Sequence, residues 1–357
     1  MNRRDFLRST VAASASLALS KGAPAGWRTF EVKTRVDIEN TGPATRVWVP
    51  TALSGETPFQ KTISNEFHAE GGVARIVTSK ADRLGMIVAE FPAGVKPVLM
   101  VTTRVATRDY AVDFTTRGAA PKVDRAELQH FLRPTKLLPT DGVVKETAIQ
   151  ITSGAKTDLD KARAIYEWVV DNTFRNPKTR GCGLGNIRFM LESKDLSGKC
   201  ADINSLYVGL ARAAGLPARD VYGIRVAKSG LGYKSLGASS ENITRSQHCR
   251  AEVYVAEYGW VPVDPADVRK VVLEEPPGNL ALDDRMVKDA RARLFGSWEM
   301  NWVGYNFAHD VALPKSAGGA VGFLMYPQAE TADGRLDSLD ADRFKYEITS
   351  REILSNG

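Results

Sequence analysis

Between Trp27 and about Phe114, apolar and polar residues alternate in short runs. In FEVKTRVDI, Phe30, Val32, Thr34, Val36 and Ile38 share one parity, while Glu31, Lys33, Arg35 and Asp37 share the other. A strand turns successive side chains to opposite faces, so this alternation predicts half-buried strands. ATRVWVP, GVARIVTSK, GMIVAEFP and PVLMVTTRVATRDYAVDF continue it, separated by Gly, Pro and Ser clusters. Several short strands at such spacing predict an antiparallel β-sandwich.

The period changes further along. Residues 115–150 mix helical and loop signals, with breaks at Pro134 and Pro139. TDLDKARAIYEWVVDNT predicts a helix capped by Thr157 or Asp158, with Ala162, Ile165, Trp168 and Val169 on its inner face. After the Gly-rich stretch around Cys182, LSGKCADINSLYVGLARAAGLP predicts a second helix. Cys200 occupies its first turn, Ile203, Leu206, Tyr207, Leu210 and Ala214 share a face, and Gly215 with Pro217 ends it. ARDVYGIRV, HCRAEVYVA and GWVPVDP read as consecutive strands, the last two forming a hairpin through Tyr258-Gly259. Beyond Pro276-Pro277-Gly278 come one short helix, near LDDRMVKDARARLF, and strand-like runs including RFKYEITSREI. The fold class is therefore α+β, with a β-sandwich-like N-terminal domain.

Composition narrows the function classes. With 43% hydrophobic and 25% charged residues, the chain can bury a core without metal or disulfides. The formal charge of +6 shrinks when the first 25 residues are set aside. They hold Arg3, Arg4, Arg8, Lys21 and Asp5, leaving 44 basic and 41 acidic residues. A net of +3 without a Lys/Arg block gives no footprint for nucleic acid. The stretch 1–25 has paired Arg3-Arg4, then Phe6-Leu7, a weakly apolar run from Val11 to Leu19, and Ala23-Pro24-Ala25. That layout looks like a twin-arginine export leader, so a periplasmic location is expected. The apolar run is too short to span a bilayer, and no later segment is long and apolar enough.

An oxidising compartment permits disulfides, yet Cys182, Cys200 and Cys249 are an odd number. At most one bridge can form within the chain, and a free reactive thiol is left over. Whether Cys182 pairs with Cys249 is open. Zinc is a weaker alternative. Cys182, Cys200, His248 and Cys249 are zinc-type ligands, but no Cys-x-x-Cys spacing occurs and neighbours on a strand face opposite ways. A thiol-redox role lacks the same motif.

Cys200, His248 and Asp264 make a more productive set. A thiol nucleophile needs a lowered pKa, a proton acceptor and a group that orients the acceptor. A helix N-terminus favours thiolate, histidine exchanges protons near neutrality, and a carboxylate on the far ring nitrogen fixes the tautomer. The hairpin brings His248 and Asp264 onto adjacent strands, about 4.8 Å apart. His68, His130 and His309 have no such context and read as structural.

Four blocks in this order resemble the transglutaminase-like domain of the papain-like superfamily. They are Gly198-Lys199-Cys200 opening a helix, Gly215-Leu216-Pro217-Ala218-Arg219, His248 with Glu252-Val253-Tyr254, and Gly259-Trp260 with Asp264-Pro265. The similarity covers roughly 157–270. It implies a papain-like transglutaminase core, helices packed on an antiparallel sheet, with Cys200 as nucleophile, His248 as general base and acid, and Asp264 as the orienting residue. It also implies acyl transfer at peptide, protein or peptidoglycan-type amides through a thioester. From the residues themselves no cofactor-binding and no metal site is expected. The expected boundaries are a leader at 1–25, the β-rich domain at 26–125, the core at 126–275, and a β-rich extension of the core at 276–357. One departure stands out. The family often has a small residue and then Trp after the histidine, and here the pair is Cys249-Arg250. Arg250 is open to three readings: facing a substrate carboxylate, pairing with Glu252, or lying solvated. The alternative to an enzyme is an inactive member of the fold that binds peptides or partners.

Overall fold

The computed structural model describes residues 26–39, 42–118 and 123–353. The expected leader lies outside them. The first seven strands are β1 (Arg28–Asp37), β2 (Thr45–Pro50), β3 (Gln60–Glu70), β4 (Val73–Ser79), β5 (Leu84–Phe91), β6 (Val98–Thr107) and β7 (Tyr110–Ala111). Helices α1 (Arg125–His130), α2 (Gly142–Thr152) and α3 (Asp158–Asn172) follow, then β8 (Phe174–Arg175), α4 (Ile187–Ser193), β9 (Ser197–Gly198) and α5 (Cys200–Ala213). Next come β10 (Ala218–Arg225), β11 (Gln247–Val255), β12 (Gly259–Val263), α6 (Pro265–Glu274) and α7 (Arg285–Arg293). The chain ends with β13 (Ser297–Trp298), β14 (Trp302–Asn306), β15 (Gln328–Thr331), β16 (Gly334–Leu336) and β17 (Lys345–Ile353). Among the described residues no helix is long and apolar enough to cross a membrane.

Two antiparallel sheets, ordered β17-β1-β6-β3 and β16-β15-β2-β5-β4, form the sandwich. Val36, Val47, Val49, Ile87, Leu99 and Val101 fill the space between them. Each comes from one parity of its strand, as the alternation requires. β3 was not among the apolar runs. It is an edge strand whose side chains are mostly half-buried or exposed, so its sequence is largely polar. The exposed His68 sits on it.

The stretch 276–357, expected to extend the core, divides between two bodies. β14 pairs with β10 in the second body, whereas β15 pairs with β2 and β17 pairs with β1 along nine residue pairs. Alternation tells which face of a strand is buried but not which strand lies beside it, so this return was invisible in the sequence.

The second body is the sheet β12-β11-β10-β14 with α5 packed on it. α3 is capped by Thr157, whose Oγ1 accepts from Asp160 N while the Asp160 carboxylate accepts from Thr157 N. This reciprocal box satisfies two donors that the helix start would otherwise strand. α5 carries the larger surprise. One apolar face was expected, but all fourteen of its residues are buried. Its polar residues survive because each is bonded. Ser205 Oγ donates to Asp220 Oδ2 at 3.2 Å, and Arg212 Nε donates to Ala218 O at 2.8 Å. A helix enclosed on every side holds its first turn rigidly, and that turn carries Cys200.

Candidate active site

The first turn of α5 is fixed from outside by Asp202. Its carboxylate accepts from Lys199 N at 3.0 Å and from Leu184 N and Gly185 N, both at 2.9 Å. These bonds tie the Gly-rich loop to the helix start, and Ala201 N donates to Cys182 O at 2.9 Å beside them. Gly183 makes the approach possible. Its φ is +92°, and a Cβ there would lie 1.8 Å from Asp202 Oδ2.

His248 and Asp264 meet through the register of β11 and β12. Ala251 opposes Val263, so the next pair outward along the hairpin is Arg250 with Asp264, and His248 lies two residues further on the same parity. His248 Nε2 is 2.7 Å from Asp264 Oδ2. The backbone of His248 is held too, since Trp302 Nε1 donates to His248 O at 2.9 Å. Trp302 reaches that position over Gly223, where a Cβ would come 2.4 Å from the indole ring. Asn204, one turn beyond Cys200, closes the frame. Its Nδ2 donates to Asp264 Oδ1 at 3.1 Å and to Cys249 O at 2.8 Å.

Behind the imidazole lies a group of buried charges. Asp267, three residues after Asp264 in the first turn of α6, is 3.4 Å from His248 Nε2 through Oδ1. Arg225 Nη2 donates to the same oxygen at 2.6 Å. Arg250 takes none of its three expected positions. It is 2% exposed, donates through Nη1 to Glu299 O, and stands 3.5 Å from Asp264 Oδ2 through Nε. Its guanidinium packs over Trp302 and Trp298 at 4.9 and 5.5 Å. Arg225, Asn204 and Trp302 were not singled out as site residues. The position of Asn204, one helical turn after Cys200, was the available signal.

The titrations follow from this packing. Burial opposes ionisation of Asp267, but Arg225, and after it His248 and Arg250, hold its carboxyl far below the usual carboxylate range. Burial and then the Asp267 charge push Asp264 up. Burial opposes the charged form of His248 as well, yet Asp267 and Asp264 raise its pKa. Cys200 moves the other way. The neighbouring thiols of Cys182 and then Cys249, together with His248, draw it well below the ordinary thiol value against the effect of burial. Cys182 and Cys249 are pushed up in turn. A low thiol and a raised imidazole together favour a thiolate–imidazolium pair.

All three cysteines are free and buried. Among the described residues, the set of metal-type ligand atoms lying within 4.8 Å of one another is His248, Asp264 and Asp267, with no cysteine in it. Both carboxylates already face a buried guanidinium, so a metal ion would add positive charge to a compensated group. His130 and His309 are engaged elsewhere, with Asp82 at 2.7 Å and Asp220 at 3.0 Å.

Cys200 and His248 open onto a cleft of about 550 Å³. The 338–346 stretch, which leads into the last sandwich strand, supplies part of its wall. The model of the transglutaminase-like superfamily matches residues 145–265. An uncharacterised protein of Haemophilus influenzae is 36% identical over 326 residues, covering 87% of this chain and 86% of that protein. The chain belongs to the transglutaminase-like superfamily. The uncharacterised protein YebA of Bacillus subtilis is 30% identical over 129 residues, 34% of this chain and 17% of that protein. A proposed cysteine protease from Cytophaga hutchinsonii shares the fold, with a TM-score of 0.54, 15% identity, and coverage of 91% of this chain and 98% of that one. The transglutaminase-like core is thus set on the sheet β12-β11-β10-β14, with an N-terminal sheet-rich body beside it.

Proposed function

We propose that the protein is a cysteine-dependent acyl-transfer enzyme acting on peptide-type amides, with Cys200 as nucleophile, His248 as proton carrier and Asp264 as its orienting carboxylate. The observation that carries this reading is the 2.7 Å contact of His248 Nε2 with Asp264 at the cleft that Cys200 also lines. With Nε2 committed to Asp264, Nδ1 is left to exchange a proton with the sulfur and the substrate. The thiolate adds to the amide carbonyl carbon, and the negative charge collects on the carbonyl oxygen. Collapse of this adduct breaks the C–N bond, and the leaving amine takes the proton from His248. The acyl group remains on Cys200 as a thioester. Water or an amine, giving its proton to His248, then releases it. The backbone N–H of Cys200 has no hydrogen-bond acceptor among the described residues, and it is the oxyanion donor in this scheme. The leader reading of 1–25 belongs to the same proposal and places the reaction in the periplasm.

Acyl trapping tests the proposal. With p-nitrophenyl acetate, the protein should release a burst of one nitrophenolate per chain and carry acetyl on Cys200 by peptide mass spectrometry. Cys200→Ala should abolish the burst and His248→Asn should slow it strongly. A burst that survives Cys200→Ala overturns the proposal, and no burst from the intact protein favours a binding module instead.

A further inference from the structure

The cleft in front of Cys200 has a composition that the acyl-transfer chemistry alone does not require. Among the described residues, seven Lys and Arg side chains line it and no Asp or Glu does. The whole chain has 48 basic and 42 acidic residues, so a seven-to-none division is not inherited from composition. Four of the seven have carboxylate partners. Arg225 pairs with Asp267, Arg180 with Asp337, and both Arg175 and Lys270 with Glu274. The other three, Lys199, Arg245 and Lys345, have no carboxylate within ion-pair distance among the described residues.

These three come from separate parts of the fold. Lys199 immediately precedes the candidate nucleophile, Arg245 lies three residues before His248, and Lys345 opens β17 of the sandwich. The sequence brings none of them together. The return of the last strand to β1 carries Lys345 to the cleft wall. Lys270 reports the crowding, since burial and the nearby Arg225 both lower its pKa. Keeping uncompensated cations around a cleft costs self-repulsion, and a ligand of opposite sign relieves it.

We propose that the cleft selects anionic substrates, namely peptides bearing carboxylates beside the amide that is attacked. This deepens the acyl-transfer reading and rests on it. Lys199, Arg245 and Lys345 are the binding residues for those carboxylates. Two sources share this chemistry, an acidic polypeptide and a peptidoglycan stem peptide with its free carboxyl groups. A cleft with one sign of charge concentrates such ligands and speeds their capture, and salt weakens the effect because the Debye length is about 10 Å at 0.1 M.

The test uses the full chain carrying Cys200→Ser, so that binding is read apart from chemistry. Fluorescence anisotropy would compare a Glu-rich peptide, a stem tetrapeptide and a Lys-rich peptide at 50 and 300 mM salt. At low salt the two anionic peptides should bind at least tenfold more tightly than the Lys-rich one and lose most of that advantage at high salt. The double variant Arg245→Glu/Lys345→Glu, altered at two exposed side chains, should remove the preference or reverse it. Tight binding of the stem peptide alone assigns the source to the cell wall, and equal binding of both assigns selection to charge. A Lys-rich peptide binding as well as the anionic ones, a failure of all three to bind, or a preference unmoved by the double variant overturns the inference. None of these results depends on the thiol, so acyl trapping at Cys200 would stand or fall separately.

Discussion

Two charged regions meet at His248 and are built on opposite rules. Behind the imidazole, Arg225, Asp267, Asp264 and Arg250 are all buried, and each has a counter-charge within 3.5 Å. In front of it, Lys199, Arg245 and Lys345 line an open cleft, none of them with a carboxylate within ion-pair distance among the described residues. A buried charge must be paired because desolvation is costly, whereas a charge at a cleft can be left uncompensated for a ligand. The rear group therefore serves position and protonation, and the front group serves recruitment.

Substitutions on the two sides should separate these roles. The largest effect on stability belongs to Asp267→Asn, which strands the Arg225 guanidinium in the interior. It should cost about 3–5 kcal/mol in urea unfolding. The carboxyl of Asp267 is depressed in the folded state, so its contribution is complete above its unfolded value near 3.9 and is lost as pH falls toward the folded value. The gap between wild type and variant should therefore be full at pH 7 and narrow below about pH 4. A gap independent of pH would mean that Asp267 matters for packing and not for charge.

Trp302→Phe is a smaller change at the rear. It keeps an aromatic ring over Gly223 but removes the indole donor to His248 O, leaving that carbonyl its ladder partner Gly223 alone, at a cost of about 0.5–1.5 kcal/mol. An unchanged unfolding midpoint would show that the indole bond does not hold the His248 strand. At the front, Arg245→Glu should leave stability within about 0.5 kcal/mol of wild type. It should still lower the rate of Cys200 alkylation by iodoacetate relative to iodoacetamide several-fold. An unaltered ratio would remove Arg245 from the field that reaches the sulfur.

The rear group also marks where sequence reasoning stopped. Cys200, His248 and Asp264 were legible because each sits in a block whose local structure follows from its neighbours: a Gly-Lys turn into a helix, and a hairpin closed by Tyr258-Gly259. The side chains that support them were not, because their contacts join distant elements. Arg250 shares the parity of His248, which fixed its face, but the neighbour on that face came from Trp298 and Trp302 beyond α7. For α5 the periodicity predicts one apolar face and does not say what the polar residues meet. Nothing local shows that Ser205 has Asp220, or that Arg212 has the carbonyls of Ala218 and Arg133, as partners. The sandwich was legible in its alternating strands, but the polar edge strand β3 and the return of β15 and β17 were not. Pairing across the chain is set by the assembled core and leaves no local period.

The central claim is that Cys200 is a thiolate held by His248 at neutral pH. It is tested most directly by the rate of iodoacetamide alkylation against pH, with the label located by peptide mass spectrometry. The account predicts labelling of Cys200 with an inflection well below the ordinary thiol value of about 8.5. Cys182 and Cys249 should stay unmodified over the same range, and His248→Asn should move the inflection upward. An inflection at the ordinary value in the intact protein, or labelling of Cys182 ahead of Cys200, would contradict it.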